Sequence, residues 1–258
     1  MIDGASQINT AEQFVLILAW NIQQGGGTRI REIVNCIAVH QPDVVVLTEF
    51  GGTNAEQLQG LLDKTGFVFC ETSRPPTWAN GVLIASRIPF VLAPFTDSDA
   101  SEPERRLSVR FRDLEMCGLY FPLRDTKDAF WQATLKQAEK RTASKCLCIG
   151  DFNTTQHYVD EIAKSVPGSE YLDELRSLGW VEAWRTIHSE TREYTWYHKS
   201  SGNGFRLDHA WVSPPLVPCL RRAWYSHTER ENRISDHSVL LVEFDFSELE
   251  ASSKPIIN

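Results

Sequence analysis

Asp151 and Asn153 close a short apolar run in the stretch Cys148 to Asn153, which reads Cys-Ile-Gly-Asp-Phe-Asn. An acid and an amide two residues apart at a strand end point to the same side if the extended geometry continues. That pairing suits hydrolysis of a phosphate ester, because the carboxylate can orient or deprotonate a water and the amide can donate to a developing oxyanion. Gly-Asp-x-Asn is also an ordinary turn composition, so the rest of the chain decides. Similar polar residues recur just beyond other strand-like runs: Asn21 in Ala-Trp-Asn-Ile-Gln, Glu49 in Val-Val-Val-Leu-Thr-Glu-Phe, Asp208 in Phe-Arg-Leu-Asp-His, and Asp236 with His237 in Ile-Ser-Asp-His-Ser. Taken singly, each could be a turn former, a surface acid or a cap. Their recurrence at comparable strand ends argues for one shared site.

The elements that must carry these residues alternate between strand and helix. Val15 to Trp20 reads as a buried strand, and Thr28 to His40 as an amphipathic helix with Ile30, Ile33, Val34 and Ile37 on one stripe. Asp43 to Leu47 is the next strand, followed by a helix with Leu58, Leu61 and Leu62, which Asn54 would cap and Gly66 would stop. Phe67 to Cys70, Gly81 to Ala85, Leu107 to Phe111 and Glu115 to Tyr120 are strand-like, with a charged loop from Asp97 to Arg106 between them. A helix over Lys127 to Lys140 precedes the Cys146 to Ile149 strand, and another around Tyr171 to Leu178 ends at Gly179. Strands return at Tyr194 to Tyr197, Leu207 to Val212, Leu220 to Tyr225 and Val239 to Phe244. With no linker or repeat, one domain is expected over residues 1–258, with an ordered core of about 14–246. Its class is α/β (α+β), a four-layer α/β/β/α sandwich of two packed mixed sheets.

Composition narrows the function. A formal net charge of -8 disfavours a protein that coats nucleic acid through a global positive field, although a local basic rim remains compatible. Carboxylates gathered around a divalent cation would contribute to that acidity. The six cysteines, Cys36, Cys70, Cys117, Cys146, Cys148 and Cys219, form no Cys-x-x-Cys pair and read as buried free thiols of a reducing compartment. Cys146 and Cys148 share a strand face as core filler. Met1 to Gln13 lacks a secretory pattern and Phe14 to Trp20 is too short to span a bilayer, so the expected location is cytoplasmic.

In order along the chain, Trp20-Asn21, Glu49, Gly81 to Arg87, Tyr120-Phe121-Pro122, Gly150 to Asn153, Arg206-Leu207-Asp208 and Ser235-Asp236-His237 resemble the endonuclease/exonuclease/phosphatase superfamily. These divalent-metal phosphoesterases include exonuclease III, apurinic endonucleases and deoxyribonuclease I. The resemblance runs from Phe14 to Phe244 and implies a deoxyribonuclease I-like fold. It further implies Glu49 as the main ligand of magnesium, or manganese in its place, with Asn21 and Asp236 completing or flanking the metal site. Asp151 would orient or activate the attacking water, Asn153 and Tyr120 would bind phosphate oxygens, and Asp208 would pair with His237. A carboxylate partner favours the imidazolium as a donor to a phosphate oxygen, whereas a neutral His237 would act as the base for water. Both roles stay open from sequence. Two positions depart from the exonuclease III pattern: Leu123 stands where an asparagine often follows the Tyr-x-Pro motif, and His209 follows Asp208 where an apolar residue is frequent.

The segment Tyr194 to Tyr197 with Gly204 to Asp208 resembles the pocket-forming stretch of apurinic endonucleases, with Trp196, Phe205 and Leu207 as walls. Arg206 and Arg124 are expected to bind substrate, and Arg105, Arg106, Lys127 and the turn from Arg29 to Arg31 are candidate phosphate contacts. The leading expectation is a monomeric, magnesium-dependent repair nuclease that acts on duplex DNA at an abasic site or a 3' end, with no membrane partner. A phosphatase or phosphodiesterase for a small or lipid-borne phosphate is the second reading, and a catalytically inactive binding protein the third.

Overall fold

Alternation along the strands sorts the apolar side chains into three layers. The computed structural model describes residues 14–93, 95, 102–162 and 166–247. In chain order the strands are β1 (Phe14–Asn21), β2 (Val44–Gly51), β3 (Phe69–Thr72), β4 (Asn80–Ser86), β5 (Val91–Leu92), β6 (Arg106–Phe111), β7 (Leu114–Tyr120) and β8 (Cys146–Asp151). They continue as β9 (Val181–Glu182), β10 (Trp196–Tyr197), β11 (Gly204–Phe205), β12 (Asp208–Val212), β13 (Leu220–Ser226) and β14 (Val239–Asp245). The helices are α1 (Ile30–His40), α2 (Ala55–Lys64), α3 (Lys127–Lys140), α4 (Ser169–Ser177), α5 (Ala183–His188) and α6 (Thr228–Glu231).

One six-stranded sheet runs β13-β14-β1-β2-β4-β3 and the other β5-β6-β7-β8-β12-β9. Ile17 and Ala19 of β1, Val44 and Val46 of β2, Leu147 and Ile149 of β8, and Ala210 and Val212 of β12 meet in the core between the sheets. Their neighbours Leu18, Trp20, Val45 and Leu47 face outward onto Ile33, Ile37 and Leu58 of α1 and α2. Cys146, Cys148 and Trp211 face outward onto Trp131, Leu135 and Leu172 of α3 and α4. This is the expected four-layer sandwich, and both sheets are mixed.

Each sheet holds one parallel pair: β1 with β2, joined through α1, and β7 with β8, joined through α3. Their carboxyl ends carry Asn21, Glu49, Tyr120 and Asp151. Crossover connections of this kind leave ligand sites just beyond the carboxyl ends of parallel strands. The two ends lie close because β1 and β2 pack against β7 and β8 across the sandwich.

Several expectations change. The second strand runs on to Gly51, so Glu49 lies inside it. The expected strand over Tyr194 to Tyr197 shrinks to Trp196–Tyr197, since Thr195 donates to Phe205 O and accepts from Ser238 N outside a regular ladder. Asn54 precedes α2 without capping it; its amide reaches Gly25 O and Gly27 O at 3.4 Å. Of the charged loop expected over 97–106, residues 97–101 lie outside the described residues, as do residues 1–13. Cys36 and Cys70 are half-buried, so only four of the six free thiols lie in the interior as expected.

Candidate active site

Strand parity brings most of the candidate residues to one place. Asn21 continues the inward series of Ile17 and Ala19, Asp151 that of Leu147 and Ile149, and Asp208 that of Ala210 and Val212. Asp208 and Asp151 are directly opposed partners in the β12–β8 ladder, which sets two buried acids side by side. Like charges so placed repel, and something must hold them. His237 does so from the loop before β14. Its Nδ1 is 2.9 Å from Asp208 Oδ2. The loop is fixed by Trp20 Nε1 donating to His237 O at 3.0 Å and by Ser235 Oγ donating to Asn21 O at 2.6 Å.

Glu49 has the wrong parity for the site. Thr48 continues the inward positions of Val44 and Val46, while Phe50 faces out. The register with β4 shifts between Thr48 and Phe50, and Glu49 adopts a left-handed φ of 55°. A bulge of this kind re-aims a side chain, here into the pocket beside Asp151. Asn21 links the two acids, donating from Nδ2 to Glu49 Oε1 at 3.0 Å and to Asp151 Oδ2 at 2.9 Å. Its oxygen instead accepts from Gln23 N at 2.9 Å. Asn21 therefore presents its amide nitrogen to Glu49 and Asp151 and flanks the site as the link between the two acids.

The Asp151–Asn153 pair converges by a different geometry from the one expected. The strand ends at Asp151, Asn153 turns to a left-handed φ of 46°, and its N–H donates to Asp151 Oδ1 at 2.9 Å. Gly150 is required here, since at its φ of 140° a side chain would run into the carbonyl of Leu119. Both oxygens of Asp151 are thus held by donors, one from Asn21 and one from Asn153. The Asn153 amide donates to Phe121 O at 2.8 Å.

Burial and neighbouring charge set the protonation states. Burial, reinforced by the Asp208 charge and opposed by His237, pushes Asp151 up to about 7. Burial alone would lower His237, but Asp208, through its charge and hydrogen bond, together with Asp151 and Asp236 raises it to about 10. The Tyr120 phenol is raised by burial and by the charges of Glu49 and Asp151, so it is a neutral donor; Arg105 lies 4.4 Å over its ring.

A pocket of about 420 Å³ opens onto these groups. Glu49, Tyr120, Asp151, Asn153, Asp236 and His237 form its polar side. Trp196, Phe205 and Leu207 form an apolar wall, with Leu123, Val166, Pro167 and His198 around it. Trp196 also donates from Nε1 to Asp236 Oδ2 at 3.2 Å, which ties the wall to the acids. Leu123, at 70% exposure, stands at the rim.

The expected cationic contacts are mostly elsewhere. Arg206 is 1% exposed and forms a fork onto Asp160, with Nε to Oδ1 at 2.9 Å and Nη2 to Oδ2 at 2.8 Å. It also pairs with Glu182 at 3.0 Å and reaches the Tyr225 hydroxyl at 3.3 Å. Tyr225 in turn donates to the carbonyl of Asp208 at 2.7 Å. Arg206 is therefore a structural cation beneath Asp208. Lys127, 5% exposed, donates to Asn153 O at 2.5 Å and Pro167 O at 2.7 Å, fixing two segments of the pocket wall. Arg106 is buried over the Phe130 ring, and Arg29 donates to the carbonyls of Ile22, Gln23 and Ile234. Arg124 is exposed and does not line the pocket. His209 is buried, 2.9 Å from Thr154 O, on the opposite strand face from Asp208.

Replacing Arg206 with leucine leaves Asp160 with Arg185 as its remaining cation and Glu182 buried without its arginine, and a half-pair of the latter kind costs about 3–5 kcal/mol. Urea unfolding of Arg206→Leu is expected to show a loss of that order. A loss below about 0.5 kcal/mol would mean that the cluster is not a supporting element.

The sequence profile of the Endonuclease/Exonuclease/phosphatase family matches residues 18–237. Three solved structures share the fold. A 3' phosphatase, NExo, from Neisseria, bound to product DNA hairpin, is 22% identical with a TM-score of 0.79, covering 90% of this chain and 99% of its own. An AP endonuclease from Archaeoglobus fulgidus is 20% identical with a TM-score of 0.80 over the same shares. The 3'-5' exonuclease NExo from Neisseria meningitidis is 24% identical with a TM-score of 0.73, covering 89% of this chain and 99% of its own. Among the described residues no helix is long and apolar enough to cross a membrane.

Proposed function

The chain belongs to the Endonuclease/Exonuclease/phosphatase family of phosphate ester hydrolases, and on that premise we propose that it is a magnesium-dependent DNA-repair nuclease that incises at abasic sites and trims 3' ends. The observation that carries the substrate is the apolar wall of Trp196, Phe205 and Leu207 beside Asp151 and His237. A deoxyribose without its base presents an apolar face and no hydrogen-bonding edge, which suits such a wall. An AP endonuclease and a 3'-end-processing enzyme among the structures of the same fold support the reading.

The donors fit a hard divalent cation. Glu49 and Asp236 offer carboxylate oxygens on one side of the pocket, and ligand atoms of Asp151, Asp208 and His237 lie within 4.8 Å of one another. We assign Glu49 and Asp236 to the metal, because Asp208 is paired with the His237 ring while Glu49 and Asp236 accept only from neutral donors, Asn21, Gln24 and Trp196, and keep their charge for a cation. Bound magnesium would supply neutralisation of the phosphate and of the leaving alkoxide.

The side chains divide the remaining work. Asp151 has both oxygens fixed and a pKa near neutrality, so around pH 7 it can take a proton from a water aligned for in-line attack. We assign His237 the complementary role: Asp208, Asp151 and Asp236 favour its charged form, and with Nδ1 held by Asp208 its Nε2–H donates to a non-bridging phosphate oxygen. The neutral Tyr120 hydroxyl contributes a further donor, whereas the Asn153 amide, expected to bind a phosphate oxygen, is turned onto Phe121 O and Asp151 Oδ2 and positions the acid instead.

The test offers purified protein a duplex with one abasic-site analogue, an intact duplex and a panel of phosphomonoesters, with magnesium or chelator. Magnesium-dependent incision at the analogue is the expected result. Turnover confined to monoesters would sink the proposal in favour of a phosphatase. Phe205→Ala should weaken discrimination against normal nucleotides about tenfold or more, because loss of one pocket wall changes binding by about 1–3 kcal/mol. The ratio of kcat/KM for abasic and intact duplex measures it.

A further inference from the structure

Three cysteines that the hydrolytic site does not use converge on the far face of the second sheet. Cys117 of β7 is in register with Cys148 of β8, and Cys146 lies two residues earlier on the same strand face. Their three Sγ atoms lie within 4.8 Å of one another, and all three residues are buried beneath α3 against Leu135 and Ala138. No imidazole or carboxylate belongs to the group. The hydroxyl of Ser108, on the neighbouring strand, donates to Cys117 Sγ at 3.1 Å. At the end of α3, Arg141 pairs with Glu115, the residue in register with Cys146, so an ion pair stands at the edge of the thiols.

Strand register brings the three side chains together, and what was expected as apolar filler becomes a cluster of three soft donors. Thiolates select soft ions, and this donor set has nothing hard in it. Structural zinc takes four ligands in a tetrahedron, one more than the group offers. We propose that Cys117, Cys146 and Cys148 form a three-sulfur binding site for a soft monovalent cation, Cu(I). Binding exchanges protons for metal: Cu⁺ and three thiols give a copper tris-thiolate and three released protons, with no change in oxidation state. The Ser108 hydroxyl stabilises the Cys117 thiolate, and the Glu115 carboxyl, already raised by burial and by Cys117, can take up a proton so that its partner Arg141 faces the bound thiolates. The site lies outside the pocket, on the strand face opposite Asp151, so it does not depend on the hydrolytic reading.

The full chain, reduced and kept free of oxygen, is titrated with Cu(I) in competition with bicinchoninate. One equivalent should be retained, and X-ray absorption should show sulfur-only coordination by three atoms. Cys117→Ala and Cys146→Ala should each weaken retention by at least about tenfold, whereas Cys36→Ser and Cys219→Ser should leave it unchanged. Thermal unfolding and hydrolase activity identify any variant that fails to fold; two separate alanine variants keep the test decisive. Equal retention by wild type and both variants, fewer than three sulfur ligands, or preferential retention of Zn(II) over Cu(I) would each overturn the proposal.

Discussion

Asp151→Asn is expected to lower kcat by about 10³-fold while raising the stability of the fold, the loss being that of a positioned general base. The two effects share one cause. Burial and the neighbouring Asp208 charge raise Asp151 from 3.8 to about 7, so the folded protein prefers the protonated acid. A carboxyl raised on folding contributes fully below its unfolded pKa of 3.8, and that contribution is lost as pH rises through about 7. Above that pH the charged side chain is a strain on the fold, at most about 4 kcal/mol at 1.36 kcal/mol per pH unit. Asparagine removes the charge. It also sets an amide against the donors from Asn21 and Asn153 and loses the attraction to His237, which offsets part of the gain. The net stabilisation is expected to be about 1–2 kcal/mol at pH 8 and to vanish near pH 4, where the wild-type acid is itself protonated. Urea unfolding at the two pH values, with single-turnover kinetics beside it, measures both. A variant that keeps more than a tenth of the activity would remove Asp151 from the base position. A variant less stable than wild type at pH 8 would show that hydrogen bonding to the carboxylate outweighs its burial.

The tension at Asp151 explains which parts of the site could be read from sequence. Asn21, Asp151 and Asp208 sit at the ends of strands whose apolar residues alternate, and period-two parity carries their direction with it. The α3 helix from Lys127 to Lys140 was equally legible, because its apolar stripe and its flanking segments agree. Glu49 was legible as a type but not as a direction. Its parity points it to the outer helices, and only the bulge between Thr48 and Phe50 brings it back to the pocket. A register shift depends on the partner strand, so no local pattern in Val44 to Gly51 could reveal it.

Charge misled the sequence reading for a similar reason. Arg206, Lys127 and Arg106 look like surface cations in a string of letters, yet each is buried and held by partners distant in sequence. Asp160, Glu182 and Tyr225, which hold Arg206, carried no signal at all. A signal does exist in retrospect: Arg206 lies between Phe205 and Leu207 in a run that must enter the sheet, where a long cation is tolerated only if fully paired. The function of that cluster is indirect. Through Tyr225 it fixes the backbone carbonyl of Asp208, which in turn orients His237.

Asp208→Asn is expected to pull the alkaline limb of the pH profile down by more than one unit and to lower activity at pH 8 by about 10²-fold, typical for loss of a preorganised charged donor. In the wild type, kcat/KM with saturating magnesium should rise as Asp151 ionises and fall on the alkaline side as His237 loses its proton, with both limbs drawn by the cation's charge below the metal-free values of about 7 and about 10. Two effects compete at His237: burial lowers its pKa, and Asp208, the largest opposing influence, raises it. With the carboxylate gone, burial is opposed by the smaller influences of Asp151 and Asp236, and the imidazole loses its proton at a lower pH. The same substitution shifts stability in a fixed direction. A histidine raised from 6.5 to about 10 contributes fully below pH 6.5 and loses that contribution as pH rises through about 10, so wild type should soften between those values and Asp208→Asn should not. The profile also separates the two roles left open for the imidazole. A donor requires the charged ring, so activity must fall on the alkaline side as the ring loses its proton. A base requires the neutral ring, so activity would rise there, and Asp208→Asn would be more active at pH 8 than wild type. An alkaline limb that rises in wild type, or that stays in place in Asp208→Asn, would therefore transfer the phosphate-binding role from His237 to Tyr120.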